Sequence, residues 1–303
     1  MTRLPHAAAY ALALAALLAG CGQTPSSEAP GHEVAGMLLD AQLGEVSGLA
    51  ASRAHPGVLW MHDDGGNPAR LFATDEEGNR LATLRVEGVT KTDWEDMAAF
   101  RLRGRDYLLV ADIGDNGGLR RTLQLHVFAE PARVANGRIA PAWSVAFRWP
   151  DGARDAEAVA VDAARGEVLL ISKRRRPPEL FAVPLHPPGI ERVTARRIGT
   201  LGGMPQPDAE ERRRDPQGAR LATQVTAADL APDGRTLAVM TYRHVLLYAR
   251  GRDGWAEGLR RPIRVIPLPW MPQAEALAWS ADGRHLYATG EFVAAPLYRL
   301  KAR

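Results

Sequence analysis

The stretch "DAEAVAVDAARGEVLLISKR" (155–174) decides the fold that we expect from this sequence. An apolar segment, a short turn and a second apolar segment ending in polar residues are typical of two antiparallel strands joined by a hairpin. The same pattern recurs in "EVSGLAASRAHPGVLWMHDD" (45–64), "DWEDMAAFRLRGRDYLLVADIGDN" (93–116), "TAADLAPDGRTLAVMTYR" (226–243) and "QAEALAWSADGRHLYATGE" (273–291). These recurring units predict a repeat architecture.

A third apolar segment follows each hairpin, and a fourth follows in the first four repeats. Four strands per repeat, with few helical stretches, predict an all-β fold, a β-propeller of five blades. The last repeat lacks a fourth strand, and we expect "HEVAGMLLD" (32–40) to supply it and close the ring. A six-bladed ring is an alternative, because 187–224 is long enough to contain further strands. Within it, 204–224 is interpreted as a polar, proline-rich loop insertion.

The N-terminal residues 1–20 have the pattern of a secretory signal, with Arg3 followed by an apolar run. Residues 18–21, "LAGC", resemble the lipobox of bacterial lipoproteins, which implies that Cys21 is lipidated. The alternatives are a plain signal peptide and an uncleaved anchor. Cys21 is the only cysteine, so no internal disulfide can form.

The polar residues 21–31 predict a flexible tether, and 32–303 are expected to form a single propeller domain. Gly22, rather than Asp, follows Cys21. By resemblance to the enterobacterial sorting pattern, this implies a cell-envelope lipoprotein of the outer membrane that faces the periplasm.

The charge balance argues against a nucleic-acid partner. The chain has 38 basic and 35 acidic residues, a net charge of +3. Its basic clusters "SKRRRPP" (172–178) and "EERRRDP" (210–216) contain no aromatic residues, and the second is flanked by acids. We therefore expect no nucleic-acid binding.

In a propeller, the starts of the first strands and the loops after the second strands meet at one face around the central axis. Aligned first strands bring together Ser47, Glu95, Glu157, Ala228 and Glu275, and two residues earlier Glu45, Asp93, Asp155, Thr226 and Gln273. The loops add His62, Asp63, Asp64, Asn67, Asp112, Asp115, Asn116, Lys173, Arg174, Tyr242, Arg243, His244 and Glu291. The tryptophans Trp60, Trp94, Trp149, Trp270 and Trp279 are expected to pack between blades.

Carboxylates this close repel one another unless protons or a cation relieve them. Calcium, which takes six to eight oxygen ligands, is the cofactor that we predict. Its predicted ligands are Glu45, Asp93, Glu95, Asp155, Glu157, Glu275, Asp112 and Asp229. The predicted ligand-binding residues beside it are Lys173, Arg174, Arg243 and His62, which would hold a small anionic ligand. As an alternative, acids in "DDGGN" and "DIGDN" cap turns by accepting backbone N–H bonds.

The motifs "TDWEDMAA", "LLVADIGDN", "DAEAVAVD" and "QAEALAWSADGRHLYATGE" resemble a widespread group of bacterial propeller lipoproteins described as esterase-like or phytase-like. The chain is also distantly similar to gluconolactonase-type calcium propellers, which implies a metal-binding role for Glu45. It departs from these patterns, because Thr226, Ala228 and Gln273 replace acids of a fully acidic ring, and β-propeller phytases have more blades.

Two functions remain open. The first is a lipid-anchored propeller of the bacterial envelope whose acidic face binds a small ligand or an envelope protein. The second is a calcium-dependent hydrolase of phosphate esters or lactones, in which a ring carboxylate activates water. No catalytic residue is predicted: the sequence lacks a G-x-S-x-G motif, and Ser47 is interpreted as a polar lining residue.

Overall fold

Each of the five hairpin repeats forms the two inner strands of one antiparallel sheet in the computed structural model, which describes residues 31–64, 66–187, 189 and 192–302. The predicted signal sequence, the lipidation of Cys21 and the tether fall within residues 1–31. Of these residues only Gly31 is described, so the predictions for 1–30 lie outside the described residues. Among those residues, no helix combines the length and the apolar character needed to cross a membrane.

The strands follow the chain from blade to blade. After β1 (His32–Leu38), blade 1 contains β2 (Val46–Ala51), β3 (Leu59–Asp63), β4 (Arg70–Thr74) and β5 (Arg80–Val86). Blade 2 contains β6 (Trp94–Leu102), β7 (Arg105–Asp112), β8 (Leu123–Ala129) and, after the short β9 (Gly137–Ile139), β10 (Trp143–Arg148). Blade 3 contains β11 (Ala156–Asp162), β12 (Glu167–Ser172), β13 (Glu179–Pro184) and, after the short β14 (Val193–Thr194), β15 (Arg196–Thr200).

The last two blades complete the ring. Blade 4 contains β16 (Val225–Leu230), β17 (Thr236–Thr241), β18 (His244–Ala249) and β19 (Arg264–Pro267). Blade 5 contains β20 (Ala274–Trp279), β21 (His285–Gly290), β22 (Ala295–Lys301) and β1. The short strands β9 and β14 were not predicted; they pair in parallel with β5 and β10, the outer strands of blades 1 and 2.

The N-terminal strand closes the propeller, as predicted. β1 runs antiparallel to β22, from His32 opposite Leu300 to Leu38 opposite Ala295, and so covers an edge that would otherwise be unpaired. It also reaches blade 1, where the Met37 amide donates to the Glu77 carbonyl at 3.1 Å. The five-bladed architecture is confirmed, and the described residues contain no sixth sheet.

The core lies between the blades. The inner strands β2, β6, β11, β16 and β20 contact one another in a closed ring. Each of the five apolar clusters is shared by two neighbouring blades, with Trp60 and Trp94 between blades 1 and 2, Trp149 between blades 2 and 3, and Trp279 between blades 4 and 5. The packing prediction is wrong for Trp270, whose surface is 83% exposed.

The segment interpreted as a loop insertion instead contains two short helices, α1 (Ala209–Arg214) and α2 (Pro216–Leu221). Asp208 begins α1 in a capping box with Glu211, since each side chain accepts a hydrogen bond from the other residue's backbone N–H. Asp215 caps α2 by accepting from the Gly218 amide, and Pro216 occupies its first turn. A third helix, α3 (Trp255–Gly258), lies between β18 and β19.

Candidate functional site

A register shift occurs near the start of every inner strand. In each blade one residue is skipped in the pairing with the second strand, and these residues are Ser47, Glu95, Glu157, Thr226 and Glu275. A β-bulge of this kind re-aims the side chain of the extra residue. Four of the five, all but Thr226, line one cavity at the propeller axis.

The alignment of the first strands is therefore correct in four blades and wrong in blade 4. Val225 pairs with Thr241 and Ala227 with Met240, so Thr226 occupies the bulge that the sequence alignment assigned to Ala228. The predicted alignment of the first strand of blade 4 is therefore displaced by two residues.

The loops after the second strands are fastened to the starts of the first strands. Backbone amides of Asp64, Gly114, Lys173 and Glu291 donate to the carbonyls of Glu45, Asp93, Asp155 and Gln273, respectively. This repeated bond brings the loops to the same face as the bulges, as expected for a propeller. Four of the predicted acids, Asp64, Asp93, Asp155 and Glu157, thereby lie close to Glu95.

The cavity has a volume of about 940 Å³. It is lined by groups from all five blades and from α1 and α2, among them Ser47, Asp64, Glu95, Asn116, Glu157, Lys173, Glu211, Asp215, Leu221, Tyr242, Arg243, Leu268, Pro269, Trp270, Met271, Gln273, Glu275 and Glu291. Within the described chain it is the only large cavity in which these carboxylates converge, and it is the candidate site.

There are two groups of carboxylates, and within each group the side chains lie close enough to bind one cation together. Asp64, Asp93 and Glu95 form one, and Glu95, Asp155 and Glu157 form the other; in each, one oxygen per residue lies within 4.8 Å of the others. Glu95 belongs to both groups. Its side chain is only 6% exposed, and it makes no hydrogen bond or ion pair with any residue that the structure describes.

The motif "DIGDN" (112–116) positions Glu95 and its neighbours. The Asp112 carboxylate accepts from the backbone amides of Thr92 at 2.8 Å and Asp93 at 3.2 Å, which fixes the start of β6. A side chain at Gly114 would clash, because a Cβ there would lie 2.1 Å from Glu95 Oε1 and 2.3 Å from Asp93 Oδ2. Asp115 caps the loop by accepting from the amides of Leu119 and Arg120. The motif is thus both a turn and a support for the carboxylates.

Each of the three predicted cations is already paired with a carboxylate. Lys173 Nζ contacts Glu157 Oε2, and it lies 5.6 Å from the centroid of the Tyr242 ring. Arg174 Nε lies 3.1 Å from Asp155 Oδ2. Arg243 Nη1 lies 3.0 Å from Glu211 Oε1, which ties the loop after β17 to α1.

Two acids of the cavity have only neutral partners within the described residues. Tyr242 donates its hydroxyl to Glu275 Oε1 at 2.7 Å, and the Gln273 amide contacts Glu291 Oε2. Neither carboxylate forms an ion pair in the part of the chain that the structure describes. Their negative charge is therefore not offset by a contacting cation.

Burial and mutual repulsion raise the carboxyl pKa values of this site. Burial, together with neighbouring Glu157, Asp64 and Asp93, holds the pKa of Glu95 far above its usual range. Burial raises the pKa of Glu157 and Glu275 as well, although Lys173 opposes both shifts. Without a cation, protons would thus have to relieve the repulsion.

The pKa values of groups at the edge of the carboxylate cluster are also raised. Burial, aided by Asp64, raises the pKa of Asp93 to about 6, and burial with Glu275 and Asp64 raises that of Glu291 to about 7. Burial opposes the charge of Lys173, but Glu157 and Glu275 outweigh it and raise the pKa of its ammonium group. The lysine therefore stays charged.

Several predicted site residues lie outside the carboxylate groups. His62 is fully buried, and its Nδ1 contacts the Asp63 carbonyl at 3.1 Å. Burial lowers the pKa of His62 to about 4, with Lys91 adding to the effect. Asp229 accepts from the amides of Leu230 and Trp279, both at 2.8 Å. Glu45 contacts the Asn67 amide. His62, Asp112, Asp229 and Glu45 do not line the cavity.

Part of the site was not predicted from the sequence. Asp64 was included among the loop residues but not among the metal ligands, and it belongs to the first carboxylate group. The contributions of α1, α2 and the 268–271 loop were also missed. The pattern "DAEERRRDPQ" (208–217) held a usable signal, because Asp208, Glu211 and Pro216 are in the positions of a capping box and of a helix start.

No protein-family model matches this chain, and no curated protein matches its sequence. Among solved structures, a luciferin-regenerating enzyme matches 88% of this chain and 95% of its own, at 11% identity and a TM-score of 0.44. A similarity at this level does not transfer activity. The class of the protein, a five-bladed β-propeller with an acidic axial cavity, follows from its own sheets and side chains.

Proposed function

We propose that this protein is a calcium-binding propeller of the bacterial envelope that holds a small ligand in its axial cavity. The observation that carries the proposal is Glu95, a carboxylate with 6% exposure that lines the cavity and has no partner within the described residues. A buried charge without a partner is costly, and a bound cation would relieve it.

The residues present fit calcium. Asp64, Asp93 and Glu95 offer only oxygen atoms, mutually within 4.8 Å, and Ca²⁺ prefers oxygen ligands and tolerates irregular coordination. The second group is a weaker candidate, since Asp155 and Glu157 are already paired with Arg174 and Lys173. We therefore assign the metal to Asp64, Asp93 and Glu95; a bound calcium ion would supply a positive charge able to hold a ligand oxygen.

Melting experiments with calcium and with EDTA test this proposal. Calcium should raise the melting temperature as its concentration rises, since a ligand that binds only the native state adds about 2.7 kcal/mol at 100 times its Kd. Glu95→Gln should remove most of the rise, and this variant in EDTA should be no less stable than the wild type. If Glu95 serves structure alone, calcium has no effect and the variant is destabilised in both buffers.

We further propose that the protein is anchored by an acylated Cys21 and belongs to the propeller lipoproteins that its motifs resemble. The support is the lipobox-like "LAGC" (18–21), which directly follows an apolar run. Cys21→Ser should release the protein from membranes, because one acylated residue would hold it there. Sedimentation of that variant with membranes at high salt would contradict the anchor and leave the cavity proposal untouched.

A calcium-dependent hydrolase of phosphate esters or lactones is the second candidate. It is favoured by the neighbourhood of Glu157, whose raised pKa suits proton transfer and whose partner Lys173 could steady a developing negative charge. A panel of phosphatase, esterase and lactonase substrates, with calcium or EDTA, separates the two. Turnover that requires calcium and is lost in Glu157→Gln would make the protein an enzyme rather than a binding protein.

A further inference from the structure

The cavity is lined by two chemically different kinds of group. Carboxylates come from the blades and from the α1–α2 segment, whereas the 268–271 loop and α2 contribute apolar groups, namely Leu221, Leu268, Pro269, Trp270 and Met271. Trp270 is 83% exposed, although a large aromatic side chain gains from burial. Its backbone is held in place, because the Tyr298 hydroxyl donates to the Trp270 carbonyl at 3.2 Å. An exposed indole on a fastened loop beside a cavity is suited to covering a ligand.

The charges of the cavity favour a cation over an anion. Its lining includes seven carboxylates, Asp64, Glu95, Glu157, Glu211, Asp215, Glu275 and Glu291. The two lining cations, Lys173 and Arg243, are already paired with two of them. A calcium ion at Asp64, Asp93 and Glu95 would offset only that group. Among the described residues, Glu275 and Glu291 would still contact only neutral groups, so a cation with several N–H donors would supply the positive charge that they lack.

We propose that the cavity binds a small organic ammonium compound that carries an aromatic ring, with the ammonium group at Glu275 and Glu291 and the ring on Trp270. This inference rests on the proposed ligand-binding function and names the class of its ligand. The cavity already contains one contact of this type, as Lys173 Nζ lies 5.6 Å from the centroid of the Tyr242 ring. A volume of about 940 Å³ leaves ample room for a compound of this size.

The experiment uses 2-phenylethylammonium as the probe, with phenyl phosphate and methylammonium as comparison compounds, each titrated into the full protein in calcium buffer by calorimetry. We expect 2-phenylethylammonium to bind at least about tenfold more tightly than methylammonium, because stacking on Trp270 adds to the ion pair. Phenyl phosphate should show no measurable binding. Tighter binding of phenyl phosphate, or no binding of 2-phenylethylammonium, would overturn the inference.

Three variants locate the contacts. Trp270→Ala should remove the preference for the ring, and Glu275→Gln with Glu291→Gln should weaken both ammonium compounds about tenfold or more. The matched control is Leu119→Ala, since Leu119 is also 83% exposed but does not line the cavity, and it should leave all affinities unchanged. A ring preference that survives Trp270→Ala would contradict the assigned position.

Tryptophan fluorescence provides an independent readout. Trp60, Trp94, Trp149, Trp255 and Trp279 are buried and Trp143 is partly buried, so Trp270 should account for most quenching by acrylamide. Bound 2-phenylethylammonium should protect it. The calcium-dependent rise in melting temperature should persist in Trp270→Ala. A protein that shows this rise but does not bind the ammonium probe retains the proposed calcium site and refutes only the present inference.

Discussion

Glu95 and Asp96 are consecutive residues of β6, both carboxylates and both buried, yet their surroundings are opposite. Asp96 accepts from the backbone amides of Met97 at 2.8 Å, Val159 at 2.8 Å and Ala228 at 3.1 Å, and so links blades 2, 3 and 4. Glu95, at the bulge, lines the cavity, and its carboxylate has no hydrogen-bond or ion-pair partner in the described chain. Burial alone therefore does not separate a structural acid from a ligand-binding one.

The number of backbone donors to each carboxylate distinguishes the structural acids from the ligand-binding ones. Asp96, Asp112 and Asp229 each accept two or more backbone N–H bonds, which is the way in which a buried carboxylate stabilises a fold. The carboxylates of Glu95 and Glu275 line the cavity and accept no backbone N–H bond from the described residues. Acids that accept backbone N–H bonds hold the blades together, and cavity acids that accept none are available to a ligand.

The largest expected effect comes from removing the structural carboxylate. Asp96→Ala leaves three buried backbone N–H groups without their acceptor, each worth about 1–3 kcal/mol, so we expect a loss of about 4 kcal/mol in the free energy of unfolding by urea. The control is Asp106→Ala, which breaks an ion pair with the exposed Arg101 and should cost far less, because solvent screens such a pair. The calcium-dependent rise in melting temperature should survive in Asp96→Ala. Equal stability of both variants would remove the distinction between the two acids.

The second-largest expected effect is the pH dependence of stability that arises from Asp229, a structural carboxylate. Burial raises the pKa of Asp229 from 3.8 to about 6, although Arg53 and its two backbone donors oppose the shift. Because the native state then binds the proton more tightly than the unfolded state, stability due to Asp229 is present at low pH and is lost as the pH rises from about 4 to about 6. The loss amounts to about 3 kcal/mol.

Asp229→Asn cannot titrate, and all other groups are shared with the wild type. The difference in unfolding free energy between the two proteins should therefore shift by about 2.4 kcal/mol, most of the full loss, against the wild type between pH 4 and pH 7. Urea unfolding at several pH values measures it. A difference that stays constant over this range would show that Asp229 keeps an ordinary pKa in the folded protein.

The fold was predictable because its signal is local and repeated. Each hairpin can be recognised from apolar segments and turns, and "HEVAGMLLD" (32–40) was needed to complete the strand count of blade 5. Glu95, Glu157 and Glu275 could be aligned since each occupies the same place in its repeat. Thr226 could not, because a bulge changes the pairing of a strand without requiring any particular residue type.

The rest of the site depends on contacts between distant parts of the chain. The ion pair of Glu211 with Arg243 brings α1 over the cavity, and no pattern within 204–224 indicates where that helix lies. Asp64 joins Asp93 and Glu95 only because the loops of blades 1 and 2 are neighbours in the ring. Trp270 was assigned to the core by residue type, and its exposure follows from the position of its loop.

The smallest expected effect is also the most selective, because it disturbs the unsatisfied acids without removing them. In Gly114→Ala, the new Cβ would meet the ends of the Glu95 and Asp93 side chains, which can rotate away without moving the backbone. The variant should fold, but its two carboxylates can no longer lie as close together. We expect calcium affinity to fall at least about tenfold, so about 1.4 kcal/mol of the stabilisation by calcium is lost at a fixed concentration.

Gly117→Ala is the matched control in the same loop, since its Cβ would lie 3.4 Å from Leu119 Cδ1, an ordinary contact. Its stabilisation by calcium should equal that of the wild type. Melting of the three proteins in calcium and in EDTA measures the effect. If Gly114→Ala responds to calcium as the wild type does, the metal does not depend on the closeness of Glu95 and Asp93, and the assignment to Asp64, Asp93 and Glu95 is wrong. If it loses stability equally in both buffers, Glu95 belongs with Asp96 among the structural acids.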